Sequence, residues 1–347
     1  RDEGIHILCI KDMAGLLKPY SAEVLISKLK EELDIPIHLH THDTSGLQVA
    51  TYMKAVEAGV DILDVSLASM SGLTSQPNFN SVVKMLEGTE RERPMNVKSL
   101  NEFSNYWEAV REVYYPFESG LKAGTAQIFD HEIPGGQYSN LRPQARGLGL
   151  EDKFETIKDN YREVNHLFGD LVKVTPSSKV VGDMAMFLTA NDLTVKDVRE
   201  KGGELSFPDS VKALFRGDLG QAHGGFPEDI SKMVLKDEKP YTNKPNEHLE
   251  PIDFIVEFKA FQQEFDKHCD ELDFLSFKLY PKVFKDYYND YMKYGDLFPL
   301  PSKAFFFGLK NNEEINIKLG NGQSILVKLL YVTEPNEDGI RSVFFKF

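Results

Sequence analysis

The sequence holds only two cysteines, Cys9 and Cys269, among 347 residues. A disulfide scaffold is therefore excluded, and a cytoplasmic location is expected. Cys9 lies inside an apolar run and is expected as a small core residue. Positive charge is scarce as well: 40 Lys and Arg stand against 54 Asp and Glu, a net charge of −14. A chain this acidic lacks the clustered Lys and Arg of a nucleic-acid groove or of an anionic-membrane surface. No apolar run approaches the roughly 18–20 residues of a membrane span, and no stretch reads as a secretory signal. Short repeats, low-complexity tracts and a Gly-rich ATP-binding segment are missing too.

What the sequence does have is a regular alternation at its start. Ile5–Lys11, Ile35–His42 and Val60–Ser66 read as apolar strands. Between and after them, Ala22–Leu33 (Ser21 as N-cap), Leu47–Ala58 and Asn80–Leu86 read as helices. Repeated βα units with apolar strands predict a parallel sheet with covered faces. The polar candidates fall at strand C-terminal ends, where a (β/α)8 barrel carries its active site. Closing such a barrel takes about five more units, expected before Arg1.

Helical patterning follows, over Leu100–Tyr115, Lys153–Phe168, Gly182–Ala190 and a further set to about Tyr294. The aromatic stripe around Trp107 is expected in the core. Residues 236–252 read as a solvated loop. At the end, Phe305–Phe307 is expected as a strand, Ile315, Ile317 and Leu319 alternate with polar residues, and Gly320-Asn321-Gly322 marks a turn. Ile325–Val332 and Val343–Phe347 complete an antiparallel element. The fold class is α/β: the later part of a (β/α)8 barrel over 1–90, a helical extension over 91–300 and a small antiparallel β element over 301–347.

Three histidines, His38, His40 and His42, occur at every second residue and so share one face of a strand. Two imidazoles so spaced can ligate one divalent metal; histidines satisfied by core hydrogen bonds are the alternative. His40 and His42 are nearest the strand end, and His38 lies deeper, as a supporting residue. Asp43 either orients an imidazole or caps the next helix. Lys11 ends the preceding strand. Its bland role is an ion pair with Asp12, and its chemical one is a neutral amine of lowered pKa.

These residues sit in stretches that resemble the pyruvate carboxylase family. The matching segments are Cys-Ile-Lys-Asp-Met-Ala-Gly (9–15), His-Leu-His-Thr-His-Asp-Thr-Ser-Gly (38–46), Met-Ser-Gly-Leu-Thr-Ser-Gln-Pro (70–77), Pro-Gly-Gly-Gln-Tyr-Ser-Asn-Leu (134–141), Lys-Val-Thr-Pro-Ser-Ser-Lys-Val-Val-Gly-Asp (173–183) and Leu-Tyr-Pro-Lys-Val-Phe (279–284). The resemblance implies a carboxyltransferase that moves a carboxyl group from carboxybiotin to pyruvate, giving oxaloacetate. It implies Lys11, as a carbamate, with His40 and His42 as ligands of a divalent metal, Mn2+ or Zn2+. It implies Thr175 as the proton relay, and Gln137, Ser178 and Lys179 around the biotin and substrate pocket. A helix cap is the alternative role for the Thr175 segment.

The same resemblance makes 1–90 the C-terminal half of the carboxyltransferase barrel, 91–300 its helical extension and 301–347 part of an allosteric or tetramerisation domain. The biotin attachment sequence Ala-Met-Lys-Met is absent. Biotin, its carrier domain and the biotin carboxylase domain that uses ATP and bicarbonate are thus expected elsewhere in the same polypeptide, as are a further aspartate ligand and the pyruvate-binding arginine. A homotetramer is implied. Some bacterial members bind cyclic di-AMP, for which Tyr20 is the effector candidate, an ordinary surface tyrosine being the alternative. Rival functions are a related biotin-dependent carboxyltransferase or decarboxylase subunit, another metal-dependent carbon–carbon lyase or synthase on the same barrel, and a non-catalytic assembly scaffold.

Overall fold

Alternating burial sets the register of the first sheet. In the computed structural model, which describes residues 4–266 and 269–347, strand β2 (Ile37–Thr41) buries Ile37, Leu39 and Thr41 fully and leaves His38 and His40 half-buried on the other face. Strand β1 (Leu8–Asp12) runs parallel beside it, with Cys9 opposite His38 and Lys11 opposite His40. Strand β3 (Ile62–Leu63) pairs with β2 on the far side, giving the order β1-β2-β3. Helices α1 (Pro19–Glu32) and α2 (Gln48–Glu57) cover one face, where Ala22, Ile26, Tyr52 and Ala55 pack with Ile37 and Leu39 in one core. The apolar side chains thus face the helices, and the histidines and Lys11 stand opposite, as in a parallel barrel whose inner face carries polar groups.

Several expectations are corrected here. Ile5 and Ile7 are exposed and precede the first strand. Cys9 is exposed rather than core, because it lies on the histidine face of β1 and not on the helix face. Ser21 is inside α1 and not its cap, since Pro19 opens the helix earlier with a preset φ and no N–H to satisfy. The third strand is short: beyond Leu63 the chain leaves the ladder, and Ser66 bridges only to Asn78.

Helix α3 (Phe79–Leu86) starts at Asn78, whose side chain accepts the Ser81 N–H. Helix α4 (Val97–Tyr114) buries Ser104 alone, while Phe103, Tyr106 and Trp107 are exposed. The expected core stripe is therefore an outer face in this chain. Periodicity tells which residues share a face of a helix, not which face is covered. Next come α5 (Ile128–His131), α6 (Gly135–Gly147), α7 (Phe154–Leu167), α8 (Ser177–Ala190), α9 (Val195–Lys201), α10 (Asp209–Arg216) and α11 (Glu228–Leu235). They enclose a second core in which Tyr161, Phe168, Val181, Met184 and Leu188 are buried, with Phe168 and Phe215 meeting edge to face at 5.0 Å. These elements belong to one unit, Arg1–Leu249.

The second unit, Glu250–Phe347, begins with α12 (Phe254–Glu264), α13 (Glu271–Leu279) and α14 (Pro281–Tyr294), joined by the buried rings of Phe261, Phe274 and Phe284. Phe305–Phe307 is not a strand: it lies in helix α15 (Ser302–Phe307), which follows Pro301 and has no ladder partner. Strands β4 (Glu314–Gly320), β5 (Gln323–Val332) and β6 (Val343–Lys346) form an antiparallel sheet, with Ile315 opposite Val327 and Ile317 opposite Ile325. The turn between β4 and β5 has positive φ at Gly320, Asn321 and Gly322, which is the reason for that tripeptide. The expected loop 236–252 holds only a short turn at Pro245–His248.

Candidate active site

The C-terminal ends of the parallel strands bring the sequence-predicted metal residues together. Nε2 of His40 lies 3.3 Å from Nε2 of His42, with the rings edge to face. Nδ1 of His40 is 2.7 Å from Oδ2 of Asp64, and Nδ1 of His42 is 2.6 Å from the backbone carbonyl oxygen of Thr74. A carbonyl oxygen only accepts, so His42 donates through Nδ1 and its Nε2 is bare when the ring is neutral. Burial, above all, lowers the pKa of His42 and favours that neutral ring, with the charges of His40 and Lys11 adding to the effect. His40 likewise turns Nδ1 to a carboxylate. Two nitrogens each about 2.0–2.1 Å from one tetrahedral ion lie roughly 3.3–3.4 Å apart. The observed pair therefore fits a divalent cation, whose ligand set needs further members. Among the described residues no group of three or more His, Cys, Asp or Glu side chains could hold a metal ion, so a third ligand on this chain would have to be of another kind.

Lys11 is the chemical group that the register puts beside this pair. It faces His40 across the ladder, and its charge is one of the influences that lower the His42 pKa. The alternative pair with Asp12 is not formed. The Asp12 carboxylate instead accepts the backbone N–H groups of Leu16 and Leu17, at 2.9 Å each, and the Thr41 hydroxyl at 2.8 Å. Those three bonds fix the loop that follows β1. For Asp43 the capping role holds: its Oδ1 accepts the N–H of Gln48, the first residue of α2, at 3.1 Å.

Sequence reasoning passed over Asp64. Its two carboxylate oxygens are divided between the histidines, Oδ1 at 2.7 Å from Nε2 of His38 and Oδ2 at 2.7 Å from Nδ1 of His40. Burial pushes the Asp64 pKa up, but the hydrogen bonds to His40 and His38 outweigh it and hold the carboxyl below its ordinary value. His38 thus shares its carboxylate partner with His40. A carboxylate directly after a short strand carries no signal of its own; only the pairing of β3 with β2 brings it under the histidines.

The helical part supplies the remaining candidates. Gln137 is buried on α6, and its Nε2 has no hydrogen-bond partner. A Cβ on Gly182 of α8 would lie 2.6 Å from that nitrogen, so the amide is packed as well as unsatisfied. An unpaired buried donor costs about 1–3 kcal/mol, which an acceptor such as a ureido or carboxylate oxygen would relieve. Thr175 precedes α8, follows Val174 and is joined to Pro176 by a cis peptide bond. It is exposed, and its hydroxyl makes no hydrogen bond to a described residue. The helix-cap alternative is not realised, because no side chain caps α8 and Ser177 turns its hydroxyl back to the carbonyls of Val172 and Val174. Ser178 is buried, and its carbonyl accepts the Tyr161 hydroxyl. Lys179 pairs with Asp183 one turn along α8 at 2.8 Å. Tyr20 is 75% exposed on α1, with the Lys54 ammonium 5.7 Å from its ring centre.

Known proteins match this chain along almost its whole length. A family model described as HMGL-like matches residues 1–106, and one described as a conserved carboxylase domain matches residues 128–328. The pyruvate carboxylase of Bacillus subtilis (strain 168) is 51% identical over 99% of this chain, and the human mitochondrial pyruvate carboxylase is 41% identical over 99%. The chain spans only 30% of the former and 29% of the latter. Among solved structures, the carboxyl transferase domain of Rhizobium etli pyruvate carboxylase, with pyruvate and biocytin, superposes with a TM-score of 0.88 at 44% identity. That comparison covers 99% of this chain and 58% of the Rhizobium one.

Proposed function

This chain belongs to the pyruvate carboxylase family, and from that premise we propose that it is the later part of the carboxyltransferase component, carrying a carboxyl group from carboxybiotin to pyruvate. The observation that carries this reading is the His40–His42 pair, whose Nε2 atoms converge at 3.3 Å while both Nδ1 atoms are turned to acceptors. His40 and His42 hold a divalent ion, Mn2+ or Zn2+, and Lys11 completes the set on this chain as a carbamate. When bound, the metal supplies Lewis-acid stabilisation of negative charge on the substrate, and biotin supplies the carboxyl group.

This chain's own residues do the rest. Asp64 keeps the His40 ring in the tautomer that leaves Nε2 bare. Thr175 moves a proton: once the N–carboxyl bond of carboxybiotin has broken and released carbon dioxide, its hydroxyl accepts a proton from the methyl carbon of pyruvate and donates its own to the ureido nitrogen that the carboxyl group has left, so the hydroxyl is regenerated. The pyruvate carbon, left as an enolate, then bonds the carbon of carbon dioxide and forms oxaloacetate. Gln137 gives its unpaired N–H groups to an oxygen in the pocket, and Ser178 and Lys179 border the same pocket at the start of α8.

The whole protein's setting is part of the proposal. Residues 1–90 form the later barrel, 91–300 its helical extension and 301–347 a piece of an allosteric or tetramerisation domain. The biotin carrier, the ATP- and bicarbonate-using biotin carboxylase, a homotetrameric assembly in the cytoplasm and cyclic di-AMP at Tyr20 complete it. No helix among the described residues is long and apolar enough to cross a membrane. The test is incorporation of labelled bicarbonate carbon into oxaloacetate by a complete enzyme carrying this chain. Incorporation that requires pyruvate and is lost in His40→Ala supports the reading; incorporation unaffected by His40→Ala removes it.

A further inference from the structure

We propose that the first turn of α6, through Gly135 and Ser139, is the backstop that positions His42 as a metal ligand. The proposal rests on the reading of His40 and His42 as ligands and assigns a role to residues outside that set.

Three loops converge on this turn. The Gly135 N–H donates to the Met13 carbonyl at 2.9 Å, in the loop that follows Lys11. The Ser139 hydroxyl is 2.8 Å from the Thr74 hydroxyl and 3.2 Å from the Gly135 carbonyl oxygen. Thr74 is the residue whose carbonyl accepts the His42 Nδ1–H. The His42 ring itself fills the space where a Gly135 side chain would be. A Cβ there would lie 2.7 Å from Nδ1 of His42, 3.0 Å from its Cγ and 3.0 Å from the Thr74 oxygen.

Glycine is not needed at 135 for backbone reasons, because the residue is helical. What requires it is the approach of the helix to the ring, at the hydrogen bond that fixes the tautomer. The next residue provides a contrast: a Cβ on Gly136 would meet nothing within 4 Å. The same helix carries Gln137 two residues on. A displacement of this turn would therefore reach the imidazole and the unpaired amide together, and the metal site and the pocket share one rigid support.

A merely structural glycine makes the opposite prediction. Alanine is the better helix former, so Gly135→Ala would then leave metal binding unchanged. On our proposal the methyl group pushes the ring off the Thr74 carbonyl, and the ligand nitrogen moves with it. Loss of outer support for a ligand weakens metal affinity about 10–100-fold.

The experiment uses Co(II) as the probe on a complete enzyme carrying this chain, freed of metal by chelation. Affinity and the visible ligand-field spectrum are measured for the wild type, Gly135→Ala, Gly136→Ala and Ser139→Ala. We expect Gly135→Ala to bind Co(II) about 10–100-fold more weakly with a shifted spectrum, Ser139→Ala to weaken less, and Gly136→Ala to match the wild type. Equal affinity and spectra for Gly135→Ala and Gly136→Ala overturn the proposal while leaving the ligand reading intact. If Gly135→Ala does not accumulate as folded enzyme, Ser139→Ala, which adds no volume, decides alone, and unchanged binding there overturns it. A wild type that binds no Co(II) removes the ligand reading and this proposal with it.

Discussion

Nδ1 of His40 sits 2.7 Å from Oδ2 of Asp64. That bond commits the proton of the ring to the side away from His42 and leaves Nε2 to face it. The other Asp64 oxygen holds His38 at 2.7 Å, so the carboxylate is fixed from two sides. Asp64→Asn keeps the size but loses the charge, and one amide face can only donate. We expect metal affinity to fall about 10–100-fold, measured by Mn(II) titration, with little change in the secondary structure seen by circular dichroism. Unchanged Mn(II) binding would show that Asp64 does not tune the ligand.

Lys11 tests the carbamate directly. Lys11→Arg preserves the positive charge and much of the length, yet a guanidinium does not stay neutral at working pH and cannot take up carbon dioxide. The expected outcome is an enzyme that folds but contains much less metal by elemental analysis. Retention of full metal content in Lys11→Arg would mean that Lys11 serves only as a nearby charge.

The buried histidine of α5 gives a pH dependence with a definite sign. His131 is 4% exposed, and its Nδ1 accepts the Ile133 N–H. Burial first, then the Lys158 charge, push its pKa down to about 4 from the ordinary 6.5. Between those values the unfolded chain binds a proton that the folded one does not, so stability falls as pH drops from 6.5 toward 4. The slope is at most about 1.4 kcal/mol per pH unit for this single group. Amide exchange of α7, corrected for intrinsic rates, should show protection declining across that window. His131→Gln should flatten the decline, and an identical decline in that variant would exclude His131 as its source.

Much of this was legible in the residues. Strict alternation in Ile37-His38-Leu39-His40-Thr41 announced both a strand and its two faces, and the helix-facing burial of Ile37 and Leu39 follows from it. The proximity of Lys11 to His40 needed only parallel pairing of consecutive strands. Other features were not local. Asp64 acquires its role through a crossover that returns β3 beside β2, and Gly135 through a helix some ninety residues from His42. The exposed ring of Trp107 shows the converse failure: its spacing matched a core stripe, but coverage of a face is decided by partners that the spacing does not name. Phe305–Phe307 misled for a simpler reason, since three aromatics favour strands only where a ladder partner exists, and Pro301 starts a helix there.

The central claim is proton transfer by Thr175 in carboxyl transfer to pyruvate, and one comparison tests it. Thr175 is exposed and its hydroxyl bonds no described residue, so Thr175→Ala should leave the fold and metal content intact. In a complete enzyme carrying this chain, oxaloacetate formation should fall about 10²–10⁴-fold in Thr175→Ala, with bicarbonate-dependent ATP cleavage persisting, because that chemistry is assigned to another domain. Near-normal oxaloacetate formation by a folded, metal-loaded Thr175→Ala enzyme would contradict the account.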